Sequence, residues 1–140
     1  MCAVNATSPA MNQEYAGDAP TLRAARLDVA DFLLGFGAST QTVEQASLVV
    51  SELASNAIQV APGLPYHVSI RIVEPNAVAL SVRNCGLGSV PPARGKWRPI
   101  DELSSRGRGL SIVDAVSDEV TVELDGDEVT VTAWFRLIIS

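Results

Sequence analysis

Glu52 and Asn56 stand four residues apart in Ser51-Glu52-Leu53-Ala54-Ser55-Asn56-Ala57. On a helix that spacing leaves them about 40° apart around the axis, so a carboxylate and an amide project side by side. At the rim of a cavity such a pair is held rigidly toward a ligand; on an open helix face it is an ordinary hydrogen-bonded pair. A second cluster is Asn84-Cys85-Gly86-Leu87-Gly88. Its glycines let the backbone approach a flat ligand or turn sharply, and Asn84 can read a ligand edge. A plain turn has the same composition. The third is Gly107-Arg108-Gly109-Leu110, preceded by Arg106. Glycines at a helix start offer N–H groups to a phosphate, the helix dipole favours negative charge, and two arginines neutralise it. The spacing is neither that of a P-loop nor that of the dinucleotide fingerprint. Without further context it is also the pattern of a bare glycine loop before a helix.

The periodicity says which elements position these groups. Leu22, Ala25, Arg26, Val29, Phe32 and Leu33 recur at helical spacing over 21–36, with Gly35 and Gly37 as the stop. Ser39 or Thr40 can cap a second helix that runs to about Ala61, where Pro62-Gly63 ends it. Val43, Ala46, Val49, Val50, Leu53, Ala57 and Val60 form its apolar stripe, and Glu52 and Asn56 lie at one edge of that stripe. Alternation predicts a strand over 66–73, then another through Val78, Leu80 and Val82 that breaks at Asn84. Residues 89–106 carry Pro91, Pro92, Gly95 and Pro99 and read as a long functional or disordered loop. Gly107-Arg108-Gly109 opens a short helix through Ser117, with Leu110, Val113 and Val116 on one face. Strands over 120–124 and 128–137 follow, joined by the hairpin signal Asp125-Gly126-Asp127. Hairpin strands with separate helices predict an α+β two-layer sandwich, helices on one face of the sheet. Residues 1–20 are read as a flexible arm and 21–140 as one domain.

Composition narrows the classes. At 140 residues and 47% hydrophobic, the chain has enough material for one packed core. No apolar run reaches the ~18 residues of a membrane span. The formal net charge of −6 argues against a nucleic-acid binder held by phosphate contacts. Yet five of the ten basic residues, Arg94, Lys96, Arg98, Arg106 and Arg108, fall within fifteen positions, as a segment facing a small polyanion would, or an ordinary solvated loop. Cys2 and Cys85 do not form a disulfide framework, which points to a reduced, cytoplasmic setting. His67, the single histidine, falls in a strand and lacks the companions of a zinc site.

Taken in order, Glu-x-x-x-Asn on a helix, a glycine turn at a strand end, a long lid and Gly-x-Gly-Leu opening a helix resemble the GHKL (histidine-kinase-like) ATPase superfamily. Ser51–Ala57 and Gly107–Leu110 look like the stand-alone anti-sigma-factor serine kinases. The resemblance covers roughly 22–137. It implies a mixed, mostly antiparallel sheet covered on one face by about three helices, the Bergerat-type ATP-binding fold. It implies that Asn56 holds Mg²⁺ on the phosphates of ATP and that Glu52 is the general base for an attacking serine hydroxyl. Asn84, Gly86 and Gly88 would line the adenine pocket, with Thr132 or Thr130 reaching the base from the last strand. Arg106, Gly107, Arg108, Gly109 and Leu110 would cradle the phosphates under a lid bearing Arg94, Lys96 and Arg98. The implied partners are a sigma factor and an anti-sigma antagonist protein, with a homodimer, and neither nucleic acid nor membrane. Two positions depart from the family: Asn84 stands where its glycine box opens with Asp, and Val60-Ala61 lacks the usual preceding His. Asn84 keeps alive a second reading, a non-catalytic module that sequesters a partner with weak or no ATP binding.

Overall fold

The computed structural model describes residues 10–73, 75–85 and 112–140. In chain order they form β1 (Ala10–Tyr15), α1 (Thr21–Gly35), α2 (Thr40–Val60), β2 (Tyr66–Val73), β3 (Ala77–Cys85), a short helical segment α3 over 112–116, β4 (Glu119–Asp125) and β5 (Glu128–Arg136). The strands make one five-stranded sheet in the order β1-β2-β3-β5-β4, antiparallel at every described pair.

Register decides what each face carries, because side chains alternate along a strand. On the inner face Met11, Ile70, Leu80, Ala133 and Val120 line up across all five strands, and Val68, Val82, Val131 and Val122 form the next row. The helices cover this face. α1 buries Ala25, Val29 and Leu33, one residue per turn, and α2 buries Ala46, Val49, Val50, Leu53, Ala54 and Ala57. Burying each Val or Leu stabilises the fold by about 1.5–3 kcal/mol relative to exposure. The outer face is mostly polar: Ser69, Ser81, Thr132 and Thr121 in one row, His67, Arg83, Thr130 and Glu123 in the next.

The helix ends follow the sequence signals. Gly37 adopts φ 92°, which an L side chain resists, and Ala38 N–H returns to Leu33 O at 3.0 Å to close α1. Ser39 caps α2, its Oγ accepting from Thr42 N–H at 3.2 Å.

The reading of 1–20 as an arm is corrected over its second half. Ala10–Tyr15 pairs with β2 from Ala10↔Arg71 to Tyr15↔Tyr66, as an edge strand of the sheet. The strand is anchored by Tyr15, whose ring stacks on Tyr66 at 5.5 Å between centroids and whose hydroxyl donates to Asp28 Oδ2 at 2.6 Å. Tyr66 OH lies 2.7 Å from Thr21 Oγ1, tying the same corner to the start of α1. The turn after β1 is equally fixed: a Cβ on Gly17 would stand 2.0 Å from Leu64 O, so only glycine lets the two backbones meet. Among the described residues, no helix is long and apolar enough to cross a membrane.

Candidate functional site

α2 presents the first two candidate residues. Glu52 is half-buried, whereas Asn56 is only 8% exposed, deeper than the rim position that its place on the helical wheel suggests. Among the described residues, Asn56 Oδ1 is buried and accepts no hydrogen bond. Leaving such an acceptor unpaired costs about 1–3 kcal/mol. Because it sits one turn from a half-buried carboxylate, the pair has the chemistry of a ligand site: a hard oxygen donor and a base on one face of one helix. The helix itself is held on this side by Arg26, whose Nη1 donates to Ser51 Oγ at 3.2 Å.

Asn84 enters from the sheet. Register places it opposite Tyr66 and Val129, on the same inner face that the helices cover. Its Nδ2 donates to Cys85 O at 3.0 Å, which leaves Oδ1 as the end of the amide turned to accept. A cavity of about 240 Å³ opens at these strand ends, with Tyr66, His67, Arg83, Asn84 and Cys85 among its walls. It falls short of the roughly 300 Å³ at which small-molecule sites begin, so it is not a nucleotide site by itself.

Thr132 does not join them. Val129, Val131, Ala133 and Phe135 take the inner face of β5, so Thr130 and Thr132 point to the outer face. There Thr132 Oγ1 lies 2.7 Å from Ser81 Oγ, a cross-strand pair within the sheet. The expectation that either threonine reaches a base in the cleft is therefore corrected. Gly86, Gly88, Arg106, Gly107, Arg108, Gly109 and Leu110, with Arg94, Lys96 and Arg98 of the lid, lie outside the described residues. The helix expected after the glycine segment is present over 112–116, with Val113 fully buried.

Two residues that spacing did not reveal support this region. Thr42, fully buried near the start of α2, accepts from Ile138 N–H at 3.0 Å and so ties the helix to the chain after β5. Gln45, on the next turn, donates from Nε2 to the carbonyl of Val116 at the end of α3. Both partners lie far along the chain; the only local signal was a polar side chain next to an apolar stripe.

Likeness to known proteins bears on the fold and the family. No curated protein sequence matches the chain. The solved structure of the RsbU and RsbW domains of Rv1364c from Mycobacterium tuberculosis superposes with a TM-score of 0.66 at 18% identity, covering 92% of this chain and 32% of that one. This chain thus spans about a third of that protein's length. The SiaB–SiaC complex from Pseudomonas aeruginosa gives 0.70 at 13% identity, covering 95% of this chain and 94% of the other. At such identities the likeness is one of fold. The family model for the histidine kinase-like ATPase domain matches residues 16–134, which takes in α2, Asn84 and α3 together. The chain belongs to the histidine kinase-like ATPase domain family.

Proposed function

We propose that the chain is a cytoplasmic, Mg·ATP-binding regulator of the anti-sigma kind, which phosphorylates a serine of an antagonist protein and sequesters a sigma factor. The observation that carries this reading is Asn56 Oδ1, a buried oxygen one turn from Glu52 with no hydrogen-bond partner among the described residues, in a chain of the histidine kinase-like ATPase family. Asn56 would hold Mg²⁺, whose charge, when bound, offsets that of the phosphate oxygens. Glu52 would accept the proton of the serine hydroxyl as that oxygen bonds to the γ-phosphorus and the bond to the β–γ bridging oxygen breaks, releasing ADP. Asn84 Oδ1 would take a hydrogen bond from the adenine amino group, its Nδ2 being engaged by Cys85 O. The neutral amide binds that group more weakly than a carboxylate does. Arg106, Gly107, Arg108, Gly109 and Leu110 would receive the phosphates, and Gly86 and Gly88 would lie against the base. Solved neighbours that contain RsbW and SiaB, the latter in complex with SiaC, support a protein partner and a regulatory role.

Incubation with Mg·ATP and candidate antagonist domains tests the catalytic half. Phosphoserine should form on one of them, and Glu52→Ala should reduce transfer by about 10²–10⁴-fold, the usual contribution of a general base. Transfer to none of them would count against it. The neutral Asn84 favours one second reading, sequestration without catalysis; there, Glu52→Ala would leave the regulatory output unchanged.

A further inference from the structure

We propose that Leu48 sets specificity in the phosphoryl transfer by receiving an apolar side chain beside the target serine of the phosphoacceptor protein, an inference that rests on the kinase reading above. Among the exposed positions of α2, which are Thr40, Gln41, Glu44, Leu48 and Gln59, Leu48 alone is apolar. A single exposed leucine is ordinary on a protein surface, so its place decides the matter. Leu48 lies one turn before Glu52, and each step of four residues turns about 40° around a helix. Leu48 and Asn56 therefore flank Glu52 on opposite sides. Asn56, 8% exposed, is on the buried side; Leu48, 38% exposed, is on the solvent side.

That order gives the base two approaches. The proposed metal ligand occupies the flank of Asn56, which leaves the flank of Leu48 for a protein substrate. A general base must come within about 3 Å of the hydroxyl it deprotonates, and side chains four apart on a helix have Cβ atoms about 5–6 Å apart. A serine at Glu52 thus stands within about 10 Å of Leu48. A specific interface covers about 800 Å² on each partner, a patch roughly 30 Å across, so the acceptor covers Leu48 while its serine is in place. The other neighbours on that flank are the half-buried Ser51 and Ser55, and Ser51 is already held by Arg26. Leu48 is the contact there that favours an apolar residue over a polar one, so it selects among serines by the residue beside them.

The experiment measures transfer from Mg·ATP to the antagonist domain that wild type phosphorylates, for wild type, Leu48→Ala and Leu48→Met. Alanine and methionine both favour a helix and the position is exposed, so both variants should fold. The expected result is a KM for the acceptor about tenfold higher in Leu48→Ala, with kcat and Mg·ATP affinity unchanged. Leu48→Met, which keeps an apolar side chain of similar volume, should stay near wild type. Changing the apolar residue beside the acceptor serine to Ser should raise KM for wild type and add little for Leu48→Ala. An unchanged KM in Leu48→Ala overturns the specificity role alone. So does an equal loss of Mg·ATP affinity, which marks a structural effect, or a loss of self-association with KM unchanged, which gives Leu48 to a second copy of the chain. Wild type that binds Mg·ATP but phosphorylates no antagonist domain overturns the kinase reading and this proposal with it.

Discussion

Thr42 and Asn56 are both buried on α2, fourteen residues apart, and the fold treats them oppositely. Thr42 Oγ1 accepts from Ile138 N–H and takes a further bond from Ser39 Oγ at 3.3 Å, so its burial ties the helix start to the chain after β5. Asn56 Oδ1 is buried with nothing to accept among the described residues. The polar corner where α1 meets β1 and β2 behaves like Thr42: Tyr15, Asp28, Thr21 and Tyr66 are joined by short hydrogen bonds. Polar groups that hold the structure together are satisfied within it. A group left open at a cost of about 1–3 kcal/mol is the one to suspect of meeting something from outside.

The contrast can be broken by substitutions on the satisfied side, which should cost stability and spare nucleotide affinity. Gly17→Ala should have the largest effect, a loss of about 3 kcal/mol in denaturant unfolding, because its Cβ meets the backbone of Leu64 rather than a movable side chain. Thr42→Val should cost about 2 kcal/mol, since the Ile138 N–H loses its acceptor while the shape is kept. A weakening of Mg·ATP binding by Thr42→Val as large as that by a change at Asn56 would erase the distinction between the two residues.

Tyr15→Phe should have the smallest effect, about 1 kcal/mol for one hydrogen bond at neutral pH. Its sharper signature is in alkali. Burial first, then the hydrogen bond to Asp28 and that carboxylate's charge, push the Tyr15 phenol well above its ordinary value; burial likewise raises Tyr66. A raised value in the folded state means that the neutral phenol is favoured there. The resulting stability is complete below the unfolded tyrosine's value near ~10 and is lost as pH rises toward the folded one. Unfolding midpoints of wild type should therefore fall above about pH 10, and Tyr15→Phe should flatten that fall. Parallel curves for the two proteins would show that Tyr15 is not the group responsible.

What the sequence made legible follows from how local each signal is. β2 is found at its observed ends, Tyr66–Val73, because apolar and polar residues alternate from Tyr66 to Ile72 and Pro65 and Pro75 frame the run. The start of α2 is marked by Ser39, and Glu52 and Asn56 by their own spacing. β1 escapes because Ala10–Tyr15 is an edge strand whose inward positions are Met11, Gln13 and Tyr15, too few apolar residues to show a period. Which face Thr132 takes is legible in the alternation of Val129, Val131 and Ala133, which puts it away from the helices, whereas the family resemblance implies that it reaches the base. The bond from Gln45 joins residues 71 apart, and no spacing rule reaches that far.

The most direct test of the account is a calorimetric titration of wild type and Asn56→Ala with ATP, with and without Mg²⁺. Wild type should bind only with the metal present, Asn56→Ala should lose at least about tenfold in affinity, near 1.4 kcal/mol, and its unfolding midpoint should hold or rise once the unpaired oxygen is gone. Wild type that fails to bind millimolar nucleotide, or Asn56→Ala that binds as tightly as wild type, would contradict the claim that this buried oxygen is kept open for Mg·ATP.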